Sequence, residues 1–480
     1  MITFPVRDAA GLINRRLIMV MGAWVVCVAS AVLMLYRLSY KPTWVAFLLS
    51  VPGVIFLSAL VGIALATRGC IGEYNRIREI EPGKGIQTVL ISALAIACLV
   101  VAGEVGLRLA TVQKPWGQEL GASLLLPRGW SHVVERYNGM VSSFDATPNY
   151  FVEDSLLGWT VGPSRTSEDG LWHSSQEGLR SPSRGYTYSK GAVPCRVALL
   201  GDSFTFGWQG TFEETWGSYL QERLGPGCQV MNFAVPGYSI GQMYLRYERD
   251  VTPWHPNLVV LSFTDGAPER GMGVYCFLMM VNWETCPWGA PRFVVKNGRL
   301  ELLNVPLPPA RDIYQYRSIY DLPFIGYDRW YLPWQWEQPY WSLFYHSYLF
   351  RLATSRYPLY SAPRPEVSDE SMRQVNEALF RAFVDKAIGN ETPYLVLYLP
   401  GKDDYKTPRR VPYSHGLLRN LDIDFVDATS CLSAVEPARR FRTVGTHYSP
   451  EGERAVAECV LPLARRALAS HHSGEYGRGI

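Results

Sequence analysis

The stretch Cys195-Arg-Val-Ala-Leu-Leu-Gly-Asp-Ser-Phe-Thr-Phe-Gly207 decides how the rest of the chain is interpreted. Its apolar run 197–200 predicts a buried strand of a parallel sheet, and Gly201-Asp202-Ser203 predicts a tight turn at the carboxyl end of that strand. Chemistry in open α/β sheets collects at this edge. A serine there can present its hydroxyl as a nucleophile and its own N–H as an oxyanion donor. The alternative is a serine that caps the following helix.

Three apolar stretches, residues 17–38, 43–67 and 87–109, precede this region. Each is long enough to cross a hydrocarbon core, which needs about 20 residues. We therefore predict that residues 1–110 form a membrane domain with three transmembrane helices. Buried helices of a soluble domain or a cleaved signal peptide are the alternatives, and three such runs in succession argue against both. Glu104 and Arg108 are four residues apart and are predicted to pair near the outer end of the third helix.

Positive charges in the short loops predict the orientation of these helices. The segments on one side carry Arg7, Arg15, Arg16, Arg68, Arg76, Arg78 and Lys84, whereas the first loop carries only Arg37 and Lys41. The N-terminus is therefore predicted to be cytoplasmic, and three crossings place everything after residue 110 outside. The net charge of +3 gives no reason to expect a nucleic-acid partner.

The cysteines agree with an outer domain in an oxidising compartment. The six that follow the apolar stretches are disulfide candidates: Cys195, Cys228, Cys276, Cys286, Cys431 and Cys459. Spacing does not fix their pairing. Position favours Cys195 with Cys228 at the starts of two neighbouring strands, Cys276 with Cys286 across a short loop, and Cys431 with Cys459. Free buried thiols are the alternative, and the spacings predict no metal site.

The outer part is predicted to contain one α/β domain. Residues 111–190 are rich in Gly, Ser, Pro and Trp and are expected to form an irregular stalk or wrap. Strands near 197–200, 229–233, 258–263, 394–399 and 424–426 alternate with helices near 212–224, 240–250, 370–388 and 451–468. This alternation predicts a parallel sheet with helices on both faces across residues 191–470. An aromatic-rich insertion interrupts the domain at about 270–365, and residues 471–480 form a tail.

Polar or flexible residues follow three of these strands. Ser203 follows the first strand, Gly237 the second, and Thr264 and Asp265 the third. His447 lies in a loop just before the last helix. A helix that returns to the carboxyl edge of the sheet brings this imidazole to Ser203 as a general base.

Taken together and in this order, these residues resemble the SGNH/GDSL hydrolase superfamily, in particular its membrane-anchored bacterial members. The resemblance covers about 195–270 and 390–470, on the blocks Gly201-Asp-Ser-Phe-Thr-Phe-Gly207 and Asn232-Phe-Ala-Val-Pro-Gly237. It implies a flavodoxin-like α/β/α fold, Ser203 as nucleophile, Gly237 as an N–H donor of the oxyanion hole and His447 as base. It implies no cofactor.

The chain departs from the family pattern at two places. The third block normally carries an Asn that completes the oxyanion hole, whereas this chain has Thr264-Asp265 there. Thr264 is the candidate donor in its place, and loss of one such donor costs about 10²–10³ in rate. An Asp normally precedes the His by two or three residues, where this chain has Val444 and Gly445. Asp427 and Asp265 are therefore the candidate acids.

The predicted function is a membrane-anchored serine esterase or O-acyltransferase. Its expected substrate is an acylated glycan or envelope polymer outside the bacterial cytoplasmic membrane, in the periplasm or extracellular space. Its expected partners are the lipid bilayer and, for transfer, a membrane protein that donates acyl groups. Two roles are possible for a group of four tryptophans in the insertion, stacking against the sugar rings of a substrate or ordinary packing: Trp330, Trp334, Trp336 and Trp341. The other function class is a catalytically weak or inactive relative that serves as a membrane-anchored binding or assembly protein.

Overall fold

The computed structural model describes residues 15–38, 51–80, 85–114, 117–146, 149–191, 193–279, 286–356, 364–406 and 411–473. The chain packs into two compact units. The membrane unit comprises Met1–Val134 and Leu332–Pro363, and the α/β unit comprises Glu135–Tyr331 and Arg364–Ile480. This division differs from the predicted boundaries at residues 110 and 190. Part of the predicted stalk and the end of the predicted insertion pack with the apolar helices instead.

The membrane unit contains three long apolar helices, Arg15–Leu38, Val51–Ile80 and Gly85–Ala110. Their windows Arg16–Met34, Val54–Glu79 and Gly85–Ala110 are long and apolar enough to cross a membrane. The part of the second predicted span before residue 51 lies outside the described residues. A three-stranded antiparallel sheet follows, formed by Thr111–Lys114, Gly117–Leu120 and Ser123–Leu125.

The α/β unit is built on five parallel strands. They are β1 (Cys195–Leu200), β2 (Cys228–Asn232), β3 (Leu258–Phe263), β4 (Tyr394–Tyr398) and β5 (Val426–Asp427). Their order across the sheet is β5-β4-β3-β1-β2, the flavodoxin-like order, which confirms the predicted fold class. Two short antiparallel strands, Arg180–Ser181 and His173–Ser174, extend the sheet beyond β2. Strand order reverses between β1 and β3, where such folds form a ligand crevice.

Helices cover both faces of this sheet, as the alternation predicts. Alternate residues of β1 face opposite cores: Val197 and Leu199 pack in one, and Ala198 and Leu200 in the other. Helices Trp216–Leu224 and Pro450–Ser473 cover the first face, and helices Ile240–Arg246 and Asp369–Gly389 cover the second. Because β1 is buried on both faces, its residues form one apolar run.

The region 111–190 is more ordered than predicted, because it also contains the helix Trp130–Ala146 and the hairpin Phe151–Asp154 with Gly158–Val161. A second hairpin, Phe293–Lys296 with Arg299–Leu302, lies in the insertion. The other helices and helical turns are Ser203–Phe206, Tyr247–Val251, Thr252–Trp254, Ala267–Arg270, Cys276–Met279, Ala310–Ile313, Ile319–Asp321, Ile325–Tyr327, Pro333–Gln335, Pro339–Trp341, Phe344–His346, Tyr348–Arg356, Pro365–Val367, Lys402–Tyr405, Tyr413–Asn420, Thr429–Ser433 and Pro437–Arg440. Of the predicted tail, residues 474–480 lie outside the described part.

The favoured cysteine pairing is confirmed. Disulfides join Cys195 to Cys228, Cys276 to Cys286 and Cys431 to Cys459. Cys195 and Cys228 are register partners at the starts of β1 and β2, with their Cα atoms 4.3 Å apart. This bridge fixes the two strands whose ends lead into the candidate site.

Candidate active site

The turn after β1 presents Ser203 at the edge of the sheet. Asp202, not Ser203, caps the short helix Ser203–Phe206, because its carboxylate accepts a hydrogen bond from the N–H of Phe204. Ser203 is the first helical residue. Gly207 ends this turn of helix in the left-handed conformation, with φ 76°. Asp202 therefore fills the capping role that was the alternative for Ser203. The hydroxyl of Ser203 is available for other contacts.

Ser203 and His447 are hydrogen-bonded. The Nε2 atom of His447 lies 2.8 Å from Oγ of Ser203, although 244 residues separate them in the chain. The imidazole lies in the loop before the final helix and packs on the ring of Phe204, with ring centroids 4.7 Å apart. This distance is that of a general base poised to accept the serine proton.

The other side of the imidazole contacts Gln209. Nδ1 of His447 lies 3.2 Å from Oε1 of Gln209, and the backbone N–H of His447 donates to the same oxygen at 3.1 Å. The Gln209 amide N–H donates to the carbonyl of Val444 at 3.0 Å. These partners define which end of the amide is oxygen. Because that oxygen can only accept, Nδ1 carries the proton and the Nε2 lone pair faces Ser203.

Gly445 makes room for this arrangement. A Cβ atom at position 445 would lie 2.0 Å from Nε2 and 2.5 Å from Cδ of Gln209. The φ angle of Gly445 is 93°, which L residues with a side chain rarely adopt. The carboxamide of Gln209 therefore occupies the space beside His447 that a side chain at 445 would need.

Neither predicted acid reaches His447, so both assignments are corrected. Asp427 lies 3.6 Å from Nε2 of a different histidine, His415. Asp265 accepts hydrogen bonds from the N–H groups of Tyr413 and Ser414 at the start of helix Tyr413–Asn420. Asp427 ends β5, which is three strand positions from β1, or about 14 Å at the usual spacing. A carboxylate there is too far from the loop that carries His447.

His447 is neutral at physiological pH in this environment. Burial lowers the pKa of His447 to about 4, the nearby Asp202 carboxylate raises it, and the guanidinium of Arg442 lowers it. Arg442 is itself paired with Glu214 at 2.5 Å. A neutral imidazole is the form that accepts a proton. The imidazolium that forms during catalysis, however, faces an amide oxygen in place of a carboxylate.

Two backbone donors are available for an oxyanion. In the described part of the chain, the N–H groups of Ser203 and Gly237 have no protein acceptor. Gly237 follows β2 and has a φ angle of 79°. These are the two N–H groups that the sequence predicts for the oxyanion hole.

Thr264 is not available as the third donor, which corrects that prediction. Its hydroxyl donates to Oδ2 of Asp202 at 2.7 Å. Asp202 is 1% exposed and needs donors for its buried carboxylate, so it takes the single proton of the threonine.

Arg270 shares the Asp202 carboxylate and was missed by sequence reasoning. Its Nη2 lies 2.6 Å from Oδ2 of Asp202, and its Nε donates to the carbonyl of Tyr238 at 3.0 Å. The guanidinium thus joins the Ser203 turn to the loop that carries Gly237. It brings a positive charge to this edge of the sheet.

The segment before β1 supports both loops of the site. The indole N–H of Trp159 donates to the carbonyl of Pro236 at 3.0 Å, next to Gly237. Arg180 is fully buried and donates to the carbonyl of Gly210 at 2.9 Å, next to Gln209. These residues belong to the region predicted as an irregular wrap, and they hold the backbone of the site in place.

Comparison with known proteins finds solved structures of low similarity. No protein-family model and no curated protein matches the chain. A solved lipolytic protein of the G-D-S-L family from Desulfitobacterium hafniense DCB-2 matches with 15% identity over 56% of this chain and 98% of its own, at a TM-score of 0.29. The acetylxylan esterase Axe2 from Geobacillus stearothermophilus matches with 15% identity over 58% of this chain and 96% of its own, at a TM-score of 0.28. These matches span nearly the whole of each solved chain and a little over half of this one.

The Ser203–His447 site adjoins a cavity of about 640 Å³. Phe204, Thr264 and Thr446, which neighbour the site in the chain, form part of its wall. The charged side chains in the wall are mostly acidic: Asp265, Glu269, Asp369, Asp403, Asp404, Arg329 and Lys402. Lys402 also donates to the carbonyls of Arg442 and Gly445, so it holds the loop that carries His447.

The four candidate tryptophans are divided between the two units. Trp330 belongs to the α/β unit, whereas Trp334, Trp336 and Trp341 belong to the membrane unit. Trp336 is 1% exposed and packs against Trp130 and under the guanidinium of Arg128. Ordinary packing, one of the two roles left open by the sequence, therefore accounts for Trp336.

Proposed function

We propose that this protein is a membrane-anchored serine esterase or O-acyltransferase that acts through an acyl-Ser203 intermediate. The observation that carries the proposal is the 2.8 Å hydrogen bond between Ser203 Oγ and a neutral His447 Nε2 beside two open backbone N–H groups. Carboxylic esters are the substrate class that such a nucleophile, base and oxyanion hole can turn over.

The first half-reaction forms the acyl-enzyme. Ser203 Oγ attacks the ester carbonyl carbon while its proton passes to Nε2 of His447. The carbonyl oxygen becomes an oxyanion that the N–H groups of Ser203 and Gly237 stabilise. As the oxyanion collapses, the ester C–O bond breaks, and the leaving alcohol takes the proton from Nε2. The acyl group remains on Ser203.

The second half-reaction decides between hydrolysis and transfer. A water molecule or a sugar hydroxyl attacks the acyl carbon, and Nε2 of His447 takes its proton. The bond to Ser203 Oγ then breaks, and the proton returns to Oγ. Water yields a free carboxylic acid, whereas a sugar hydroxyl yields a new ester. A membrane protein that supplies acyl groups is a partner for the transfer reaction only.

The proposed substrate is an acylated glycan or envelope polymer outside the bacterial cytoplasmic membrane. Loop charge favours a cytoplasmic N-terminus, and three crossings then place the α/β unit in the periplasm or extracellular space. Three disulfides in that unit support an oxidising compartment.

The second candidate function is a membrane-anchored binding or assembly protein with little or no catalytic activity. One observation favours it: the neutral amide of Gln209, in place of a carboxylate, faces Nδ1 of His447. Such a site leaves the imidazolium without a charged partner.

The experiment uses the full chain purified in detergent, a fluorophosphonate probe and an acetyl ester. The enzyme hypothesis predicts covalent labelling and ester turnover that Ser203→Ala abolishes. The matched control is Ser430→Ala, which removes an exposed serine and should leave both signals unchanged. A folded parent protein that is neither labelled nor active would reject the enzyme and favour the binding protein. Added acetyl acceptor sugars then separate transfer from hydrolysis by the fraction of acyl groups recovered as ester.

A further inference from the structure

A second surface of interest lies in the membrane unit, far along the chain from Ser203. The segment Leu332–Pro363 belongs to this unit although it lies in the insertion of the α/β domain. Within it, Tyr340 is 93% exposed and Leu343 is 78% exposed, and Phe344 and Leu349 are also exposed. We define these four side chains as the apolar rim. A group of exposed large apolar residues marks a binding surface.

Glu104 of the third apolar helix contacts the middle of this segment, at the start of the helix Tyr348–Arg356. Its carboxylate accepts hydrogen bonds from the hydroxyl of Ser347 and from the N–H of Tyr348 at 2.7 Å. These groups begin the helix Tyr348–Arg356, so Glu104 serves as its N-terminal acceptor. The predicted pairing with Arg108 is thus not the main role of Glu104. Arg108 instead donates to the carbonyl of His346 at 2.7 Å.

The apolar rim is continuous with the membrane-spanning surface. A Cβ atom at Gly103 would lie 3.7 Å from both Cδ atoms of Leu349, so this leucine lies against the backbone of the third helix. On the same helix, Val105 and Leu109 are exposed. The apolar surface of the span therefore extends onto the segment that Glu104 holds.

The length of the third helix indicates where Glu104 lies relative to the hydrocarbon core of a membrane. The 18 residues from Ile86 to Gly103 carry no charge. At about 1.5 Å per residue they span about 27 Å, close to the 30 Å of a hydrocarbon core. Glu104 therefore marks the boundary of that core, and Leu349, which lies against Gly103, is the member of the apolar rim at the same level. Tyrosine with large apolar side chains is typical of this interfacial layer.

We propose that the apolar rim of residues Tyr340, Leu343, Phe344 and Leu349 inserts into the lipid interface at the outer end of the third helix. The occupant is a phospholipid bilayer, at the boundary between headgroups and acyl chains. Glu104 acts as the fixing point, because its carboxylate would otherwise face the edge of the hydrocarbon layer without donors. This role is independent of the chemistry at Ser203.

The test places a photoreactive amino acid in the rim of the full chain. Leu343→p-benzoylphenylalanine and Tyr340→p-benzoylphenylalanine variants are reconstituted in nanodiscs of phosphatidylethanolamine and phosphatidylglycerol and irradiated. The matched control is Ile388→p-benzoylphenylalanine, at an exposed apolar position of the α/β unit. Intact-mass spectrometry should show the mass of one phospholipid added at positions 343 and 340 and not at 388.

Three outcomes would overturn the proposal. One is the absence of a lipid adduct at both rim positions in protein whose thermal unfolding matches the parent. Another is lipid labelling at 388 equal to that at 343. The third is crosslinking of the rim to a second copy of the chain, which would identify a protein interface in place of lipid.

Discussion

Replacing Gln209 by Glu tests the central feature of the site, a base whose orienting partner carries no charge. The substitution keeps the side-chain length and the oxygen that accepts from Nδ1 and from the N–H of His447. It adds a negative charge about 3 Å from Nδ1. It removes one hydrogen bond, from the Gln209 amide to the carbonyl of Val444. Val444 is 81% exposed, so water can replace that donor.

The magnitude follows from the pKa of His447. Burial lowers this pKa from 6.5 to about 4. At 1.36 kcal/mol per pKa unit, the imidazolium is disfavoured by about 3 kcal/mol. A carboxylate in contact raises the pKa of a histidine by about 1–3 units. If the transition state carries the full imidazolium charge, the same interaction energy speeds acylation by about 10-fold to 10³-fold.

The assay is the pH dependence of kcat/KM for an activated acetyl ester. A base must be neutral, so activity rises with pH through the pKa of His447. The rising limb should lie near pH 4 in the parent and about 1–3 units higher in Gln209→Glu. Gln209→Ala, the control, should lower kcat without such an upward shift. An active, folded Gln209→Glu protein with an unmoved limb and an unchanged or lower plateau would refute the role of Gln209.

Three further predictions concern other positions. Gly445→Ala should lower kcat at least as much as Gln209→Ala, since its Cβ displaces the carboxamide; parental activity would contradict this. Burial raises the pKa of Glu453 to about 8. The folded state therefore binds more protons than the unfolded state between about pH 4.5 and 8, and the free energy of unfolding falls as pH rises through that window. Thermal unfolding in detergent should therefore show Glu453→Gln gaining over the parent from pH 5 to pH 8, by about 3.5 kcal/mol; parallel pH profiles would exclude this. Glu104→Ala should lower the stability of the membrane unit by about 1 kcal/mol, because the helix Tyr348–Arg356 loses its N-terminal acceptor. Glu104→Gln should remain closer to the parent in thermal unfolding in nanodiscs. Equal losses in both variants would argue against the acceptor role.

The sheet was predictable because its signals are local. The run 197–200 is apolar at every position, as expected for a strand that packs on both faces, and β1 follows it within two residues. The order of Ser203, Gly237 and His447 along the chain predicts which loops meet, and the structure brings Ser203 and His447 together. Parallel topology makes this possible, because it gathers the carboxyl ends of consecutive strands at one edge.

The partners of these residues were not predictable in the same way. Gln209 lies six positions after Ser203, but its contact is with His447, 238 residues away. No periodicity or motif connects the two. Thr264 was a reasonable donor by residue type, yet hydroxyl direction depends on which acceptor is nearest, and that acceptor is the buried carboxylate of Asp202. Long-range side-chain pairing of this kind is visible only in three dimensions.

The division into units was missed for a related reason. The aromatic segment after Tyr331 lies within the predicted insertion of the α/β domain, and composition alone assigns it there. Its position is decided by Glu104, whose carboxylate accepts from the start of helix Tyr348–Arg356. A single half-buried acceptor on a distant helix carries no compositional signal.

The unusual features around Ser203 and His447 are those expected of a functional site. The buried N–H of Gly237 has no protein acceptor in the described chain, and an unsatisfied buried donor costs about 1–3 kcal/mol. Holding His447 neutral below its ordinary pKa lowers stability in acid by about 3 kcal/mol, because the unfolded chain binds the proton more readily. Two more features lie at the same edge: Gln209 fills the space at Gly445, and Arg270 supplies charge beside Asp202. Backbone N–H groups without acceptors and a histidine that is held neutral lower stability. They are expected together at one sheet edge where ligand binding or catalysis offsets that loss.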